Sequence, residues 1–318
     1  MARLAGRKFL LLIPVLLIVS IATFLLLNLL PGDPAINILG LGATPAAVHQ
    51  LRQQLHLDDP IYLRYTHWLW QTLHGQLGES YLNKEPVSTA VRQHFPVTLE
   101  LMVISQVIAI IVSVPLGIWS AYRPNSWADR AATGFSFAML AAPPYMLGVL
   151  MVFVFAVHWH VFPATGYVGL TQNPFENIRD LFLPSLTLAL GSLAVYVRLL
   201  RAEMIATLQE DYITMARAKG MPTGFILLRH ALRPSTFSLV TVAGLNVGTL
   251  IGGAFIIEYI FAIPGIGLLT VNSIYSRDYL VVQACVLIVA VGFVLVNFFM
   301  DLMYPLLDPR TRHARSSA

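Results

Sequence analysis

The stretch that decides the fold is Val97–Tyr122, with the sequence VTLELMVISQVIAIIVSVPLGIWSAY. Its only charged residue is Glu100, which stands near one end. A helix needs about 20 apolar residues to cross the hydrocarbon core of a bilayer, and this block is longer than that. Its apolar residues run on without the regular polar positions of an amphipathic helix in a soluble protein. The block therefore predicts a membrane-spanning helix.

The composition of the whole chain also indicates a membrane protein. Its 318 residues are 57% hydrophobic and only 11% charged, and the mean hydropathy is +0.70. Six apolar blocks are long enough to be spans: Phe9–Leu30, Val97–Tyr122, Ala131–Val157, Leu181–Leu200, Ser235–Ile257 and Leu280–Tyr304. The fourth is the shortest and glycines interrupt the fifth, so five or seven spans stay open. We predict an all-α integral membrane protein with about six transmembrane helices, forming a single domain over residues 1–318.

Lysine and arginine predict the orientation, because cytoplasmic loops retain positive charge during insertion. With an even number of spans and the N-terminus inside, the cytoplasmic side carries the larger set: Arg3, Arg7, Lys8, Arg123, Arg130, Arg198, Arg201, Arg217, Lys219, Arg229, Arg233, Arg310, Arg312 and Arg315. The outside carries the smaller set: Arg52, Arg64, Lys84, Arg92, Arg179 and Arg277. Both termini are therefore predicted to be cytoplasmic.

The outer segment 31–96 is too long for a plain connector between two spans. It contains His67-Trp68-Leu69-Trp70, which is amphipathic enough to lie at a membrane interface. We expect the segment to fold into short helices. Its role stays open between a cap on the helical bundle and a receiver for a delivered substrate.

Several kinds of site are absent from the sequence. An ATP-binding P-loop needs a lysine directly after a glycine, and none of Lys8, Lys84 and Lys219 follows one. Cys285 is the only cysteine, which excludes an intramolecular disulfide and a cysteine metal cluster. His158-Trp159-His160 has no third metal ligand nearby, which favours an interfacial position over metal binding. The basic residues form no dense patch for nucleic acid. We expect no catalytic, cofactor or metal site.

The polar segment 201–234, between the fourth and fifth blocks, has the punctuation of a short helix. Thr207 and Glu210 make a capping box, and Asp211 adds a negative charge that the N-terminal helix dipole favours. Gly220 stands where a C-terminal glycine is expected. A helix this short is marginal alone in water, so its apolar residues must pack on something. A partner protein and the inner ends of the chain's own spans both stay open.

Residues 211–220, DYITMARAKG, followed by 229–233, RHALR, resemble the cytoplasmic loop of ABC importer permeases of the peptide and nickel branch. Other segments resemble the same family along nearly the whole chain: Pro31–Pro34, Leu57–Pro60, Gly75–Ser80, Phe95–Glu100, Glu258–Tyr279 and Leu307–Arg310. Two residues depart from the wider superfamily pattern, since Thr214 stands where glutamate is frequent and Arg233 where proline is frequent. The resemblance implies the fold of a type I ABC importer permease.

By this resemblance, the short helix is a coupling helix that seats in a cleft of an ATP-binding subunit. Its docking residues would be Asp211, Tyr212, Thr214, Met215, Ala216, Arg217, Ala218, Lys219, Gly220 and Met221. An outer-face loop would include Glu258, Pro264, Gly265, Gly267 and Asp278. ATP and magnesium would bind on partner subunits and not on this chain. The expected partners are a second homologous permease, two ATP-binding subunits, an extracytoplasmic substrate-binding protein and membrane lipid, in a bacterial cytoplasmic (inner) membrane.

A stripe of glycines in the fifth block has two interpretations. Gly244, Gly248 and Gly252 recur every four residues and so share one helix face. Small residues let helices approach closely in lipid, so the stripe predicts packing against another span. The other interpretation is a pore-lining face, on which Asn246 would offer a polar contact to the solute.

These features together predict a permease subunit of an ATP-driven importer, with no enzymatic activity of its own. Peptides are the first expected substrate, and nickel or glutathione are alternatives within the same family. A channel or secondary carrier that works without ATP, and a membrane scaffold, are rivals from other classes. Neither rival explains a capped cytoplasmic helix, and charged residues inside the spans are too scarce to suggest a proton relay.

Overall fold

A computed structural model describes residues 2–28, 34–39, 42–54 and 57–307. The helices, in chain order, are α1 (Ala2–Asn28), α2 (Pro34–Leu39), α3 (Pro45–Gln54), α4 (Ile61–Leu73), α5 (Val87–Tyr122), α6 (Trp127–Ala141), α7 (Pro144–Met151), α8 (Pro174–Leu208), α9 (Asp211–Ala218), α10 (Thr223–Phe225), α11 (Leu232–Phe261), α12 (Ile266–Tyr275) and α13 (Tyr279–Leu307). Two π-helical segments, Val152–His158 and Ile226–Ala231, follow α7 and α10. The extended pairing within the described ranges is a single bridge between Glu79 and Pro86. The all-α prediction is confirmed.

Four described helical stretches are long and apolar enough to cross a bilayer: Val87–Tyr122, Pro174–Leu208, Thr223–Phe261 and Tyr279–Met300. A fifth candidate is the bent pair Trp127–Ala141 with Pro144–His158. The described apolar part of α1, Leu10–Leu25, is shorter. The chain is thus a multi-pass membrane protein, while the count of six spans and the positions of the termini stay predictions. The predicted signature residues 31–33 and 308–310, and the C-terminal arginines, lie outside the described residues.

The third predicted block, Ala131–Val157, is not one straight helix. Its two halves are bent by 108° relative to each other. The break falls at Ala142 and Pro143, whose ψ angles of 128° and 140° are extended. Each of these residues precedes a proline, and the proline ring crowds the backbone of the preceding residue out of the helical region. The block therefore contains a break between two helices, where its hydropathy predicts one helix.

The described residues group into two compact units. The first contains the residues up to 98 together with 264–295, and the second contains 99–263 together with those from 296 onward. The helices α5 and α13 contribute residues to both units. The segment around α9 and the glycine stripe of α11 belong to the second unit, whereas α12 belongs to the first. The predicted single domain over 1–318 stays a prediction.

In the first unit, the outer segment contains the short helices α2, α3 and α4, as expected. The helix α4 packs on α1, because the rings of Tyr65 and Trp68 each lie 5.5 Å from that of Phe24. The helix α5 already begins at Val87, so the last part of the predicted outer segment is the first part of this helix. Val87 and Val91 are buried, which gives the early part of α5 an apolar face that packs and stays helical.

In the second unit, α8 forms the centre of the core. Its side chains Tyr196, Leu200 and Met204 are fully buried. They belong to one apolar cluster with residues of α5 and α11, which include Ala109, Ala121, Leu239 and Ala243. The backbones of α5 and α8 come close at Gly117, where a Cβ atom would lie 2.9 Å from Cδ2 and 3.0 Å from Cβ of Leu200. The absence of a side chain at Gly117 therefore sets how closely the two helices pack.

We expect Gly117→Ala to destabilise the protein, because the added methyl overlaps a buried leucine that has no room to move. Overpacking of this kind costs about 1–3 kcal/mol. The measurement is the thermal midpoint of the detergent-purified permease. The matched control is Gly134→Ala in α6, where a Cβ meets nothing within 4 Å and alanine is the better helix former. Equal midpoints for the two variants would contradict this role of Gly117.

Candidate functional site

The helix α9 is the centre of the candidate site, and its start differs from the sequence prediction. Thr207 lies inside α8, which continues to Leu208 because its buried side chains still pack on the core. Glu210 is the N-cap residue of α9 and makes no side-chain cap hydrogen bond. The predicted capping box is therefore wrong, and Oγ1 of Thr207 instead lies 3.4 Å from Oγ of Ser235. Asp211 does stand in the first turn of α9, where the helix dipole favours its charge.

The segment 201–234 is consequently not one loop. Its first part is the end of α8, and its last part is a helical stretch that leads through α10 and Ile226–Ala231 into α11. Between these two long stretches, α9 and the turns on either side of it are the only part that is not continuous with a candidate span. The site therefore sits directly on the ends of two long helices.

The C-terminus of α9 is a Schellman motif. Gly220 has φ +74°, and its N–H donates to the Arg217 carbonyl at 2.9 Å. The N–H of Met221 donates to the Ala216 carbonyl at 3.2 Å. This is the pair of hydrogen bonds by which a left-handed glycine closes a helix end. The prediction that Gly220 ends the helix is confirmed.

One face of α9 packs on the chain's own helices. Ile213 is fully buried and Ala216 is 6% exposed, and both pack with Ile226 of the following π-helical segment. Leu208 and Met221 pack against the same cluster from the two ends of α9. The alternative of packing on the chain's own helices is thus confirmed for this face, and Ala216 and Met221 lie on or beside it and hold the helix in place.

The opposite face of α9 is exposed and mixed in character. Tyr212 is 43% exposed and Met215 is 58% exposed. The remaining predicted docking residues around them are exposed as well: Asp211, Thr214, Arg217, Ala218, Lys219 and Gly220. The Tyr212 hydroxyl donates to the His230 carbonyl at 3.3 Å. Partial burial and the nearby carboxylate of Glu210 raise the pKa of the Tyr212 phenol above its usual value.

The glycine stripe of α11 divides into a packed part and an open part. A Cβ at Gly244 would lie 1.8 Å from Cε of Met300, so this glycine admits the side chain of α13. Gly248 is buried. A Cβ at Gly252 would meet nothing within 4 Å, so that turn of the helix has an open surface. Close packing therefore explains Gly244, and the pore interpretation stays a prediction.

Asn246 belongs to a polar network between three helices. Its amide Nδ2 donates to Oγ of Ser192 at 2.6 Å and to the hydroxyl of Tyr196 at 3.0 Å. Gln106 of α5 donates to the same Tyr196 hydroxyl at 2.9 Å. Polar groups inside a bilayer need internal partners, and these three helices supply them to one another. Asn246 is half-buried, so its amide group is committed to the network in this conformation.

The residues predicted for an outer-face loop are mostly buried, and two of them lie inside helices, while their place on the outer face stays a prediction. Glu258 lies in the last turn of α11 and is fully buried. That helix runs on to Phe261 and ends at Ala262, which adopts the left-handed conformation and donates its N–H to the Glu258 carbonyl.

The other members of the predicted loop lie around α12 in the first unit. Gly265 caps this helix and Gly267 lies inside it, and both are buried, while Pro264 is half-buried. Asp278, which is 2% exposed, accepts a hydrogen bond from Oγ of Ser80. Buried residues of this kind organise the segment rather than present it to a partner.

Sequence reasoning missed the ion pair between Asp129 and Arg201. Nε of Arg201 lies 2.6 Å from Oδ1 of Asp129, whose side chain is 4% exposed. The only local signal was Ser126, an N-cap residue whose hydroxyl accepts from the Asp129 N–H at 3.2 Å. That spacing accounts for an aspartate in the first turn of α6 but gives no indication of its partner in α8.

Comparison with known proteins adds the family. Residues 113–313 match the family described as "Binding-protein-dependent transport system inner membrane component", and residues 1–102 match its N-terminal counterpart. A putative peptide transport system permease protein of Brucella abortus strain 2308 is 41% identical over 301 residues, which cover 95% of this chain and 96% of the relative.

Two relatives from Escherichia coli are similar over equally large shares of both chains. The glutathione transport system permease protein GsiC of strain CFT073 is 36% identical, with 96% of this chain and 98% of the relative covered. The dipeptide transport system permease protein DppB of strain K12 is 34% identical, with 97% and 98% covered. The chain therefore belongs to the family of binding-protein-dependent transport system inner membrane components, as a permease subunit and not an enzyme.

Proposed function

We propose that α9 is the docking site of an ATP-binding subunit, and that the chain is the permease of an ATP-driven importer of short peptides. The observation that carries the docking proposal is the division of α9 into two faces. Ile213 and Ala216 fasten the helix to its own chain, while Tyr212 and Met215 remain exposed. A helix with one face packed on its own chain and an exposed face with apolar residues can bind a partner and pass a movement of that partner to the chain.

The exposed face has the anatomy of a protein interface. Tyr212 and Met215 would form its apolar centre, and methionine adapts its shape to a cleft. Asp211 at one end and Arg217 and Lys219 at the other would form a charged rim, which favours one orientation of the partner over the reverse. Charges of this kind contribute to specificity and association rate, whereas the apolar centre supplies most of the affinity.

Membership of this family means that the chain works with a substrate-binding protein and an ATPase. The finer assembly that we propose contains a second homologous permease and two ATP-binding subunits, in the inner membrane of a bacterium. ATP and magnesium would bind on those subunits, because no glycine-lysine pair occurs in this chain. The open turn of α11 at Gly252 leaves room for the second permease or for the solute at a shared pore.

Peptides are the substrate class that we propose. The names of the three relatives refer to peptide, dipeptide and glutathione transport, and glutathione is itself a small peptide. The polar network around Asn246 could offer amide and hydroxyl groups to such a solute if the helices separate during transport. We therefore place peptides ahead of nickel.

We expect Gly220→Ala to weaken docking, because a residue with a Cβ pays about 1–2 kcal/mol in the left-handed conformation. The last turn of α9 would fray, and the affinity for the ATPase would fall by up to about tenfold. The measurement is the amount of ATPase that co-purifies with the tagged permease. The control is Gly224→Ala, since Gly224 is also exposed and open but has no left-handed backbone. A full yield of ATPase with Gly220→Ala would contradict the need for an intact helix end.

We expect Met215→Ser to reduce co-purification of the ATPase by about tenfold, as for other central apolar residues of an interface. The thermal midpoint of the permease alone should not change, because Met215 is exposed. The control is Phe175→Ser, which removes an exposed apolar residue at the opposite end of α8. If Met215→Ser keeps the ATPase and Phe175→Ser loses it, α9 is not the docking site.

Uptake by the complete complex in proteoliposomes tests the substrate class. We expect radiolabelled dialanine to accumulate only with ATP and the binding protein, and unlabelled dipeptides to compete. Free alanine and nickel ions serve as controls for the size of the solute and for the nickel alternative. Uptake of nickel without uptake of dialanine would refute the peptide proposal and leave the docking proposal standing.

A further inference from the structure

The ion pair between the buried Asp129 and the partly exposed Arg201 joins four segments of the second unit. The Asp129 carboxylate accepts hydrogen bonds from Nε and Nη2 of Arg201 at 2.6 and 2.8 Å. It also accepts one from Oγ of Ser120, in the last turns of α5, and one from the backbone N–H of Asn125 at 2.8 Å. The Asp129 carboxylate, at the start of α6, thus hydrogen-bonds to the end of α5, to the turn that follows α5, and to α8 at Arg201.

Arg201 is directly connected to the candidate docking helix. From Arg201 to Leu208, α8 is unbroken, and only Gln209 and Glu210 separate it from α9. Met204, one turn beyond Arg201, is fully buried, and Leu208 packs against the buried face of α9. A displacement of α9 therefore reaches Arg201 through a packed and continuous helix.

The chemistry of the pair favours orientation over stability. A buried ion pair is often no more stabilising than apolar side chains of similar volume, because both charges lose their hydration. A guanidinium that binds both oxygens of a carboxylate does fix the relative orientation of the two elements. Lysine cannot make this planar two-point contact, although it carries the same charge. An arginine at this position thus gives α8 a defined angle to the turn between α5 and α6.

We propose that Asp129 and Arg201 are positioning residues. Their ion pair makes the turn between α5 and α6 move together with the end of α8, from Arg201 to Leu208, when the ATPase acts on α9. The inference rests on the proposed docking at α9. A second route leads from α9 through Ile226–Ala231 into α11, because Ile226 packs with Ile213 and Ala216. Loss of the ion pair would therefore leave the motion of α11 intact and weaken the coupling of the turn between α5 and α6 to it.

Distances between spin labels test whether the start of α6 and the end of α8 move together. Cysteines introduced at Ala131 in α6 and at Gln209 in the α8–α9 connection are both exposed. The native Cys285 is fully buried, so we expect it to be protected from the label. Double electron–electron resonance measures the distance between the two labels on the complete complex, first without nucleotide and then after trapping with ATP and vanadate. For the parent pair, we expect one distance that is the same in both states.

The test variant is Arg201→Lys, which keeps the charge and loses the two-point contact. We expect ATP trapping to shift the distance by about 2 Å or more, the size of common helix shifts. Uptake of dialanine per ATP hydrolysed should fall about fivefold or more. The matched control is Arg198→Lys, one turn earlier in α8, where Arg198 lies over the ring of Phe137. This control should behave like the parent.

A second variant keeps the proposal testable if Arg201→Lys fails to fold. The neutral double variant Asp129→Asn with Arg201→Gln leaves no unpaired buried charge, and we expect the same shift in distance. An unchanged distance in either folded variant, with uptake per ATP at the parent level, would overturn the proposal. Docking is measured separately as the amount of co-purified ATPase, which should stay at the parent level here. Loss of docking in Met215→Ser and loss of coupling in Arg201→Lys are thus independent results.

Discussion

Lipid offers no hydrogen-bond partner to a peptide backbone, and this constraint governs the whole chain. Each N–H and C=O group at membrane depth must be satisfied inside the segment that carries it, so the long apolar stretches are helices. The side chains obey the same constraint on a smaller scale. Asn246 of α11 donates hydrogen bonds to Ser192 and Tyr196 of α8. Exposed hydroxyls of α11, such as those of Thr241 and Thr249, instead donate to carbonyls of their own helix.

The helix α8 shows how this constraint leads to a working part. Near Leu200 it packs so closely on α5 that a side chain at position 117 would overlap this leucine. Its final third carries Arg201, whose charge is matched by the buried Asp129. Its end continues, through a two-residue connection, into α9. A tightly packed helix that leads to an exposed, capped helix is suited to transmit a displacement from the proposed docking site of the ATPase.

Local sequence signals were reliable where the local backbone decides the outcome. Gly220 ends α9 because a left-handed residue is needed there and glycine adopts it without strain. The apolar blocks became helices for the reason given above. The capping box at Thr207 failed because α8 continues past it, held by side chains that pack on distant helices. The two prolines after Ala142 indicate the bend of the third block, but hydropathy alone does not register their effect on the backbone.

The sequence by itself determined that this is a helical membrane protein with a short helix that ends at Gly220, and its motifs indicated the permease family. These features depend on hydrophobicity and on backbone preferences within a few residues of the chain. Only the tertiary structure decided which face of α9 is buried, that Glu258 and Asp278 are internal, and that Asp129 is the partner of Arg201. Those contacts join residues that lie far apart in the chain, and no local preference specifies them.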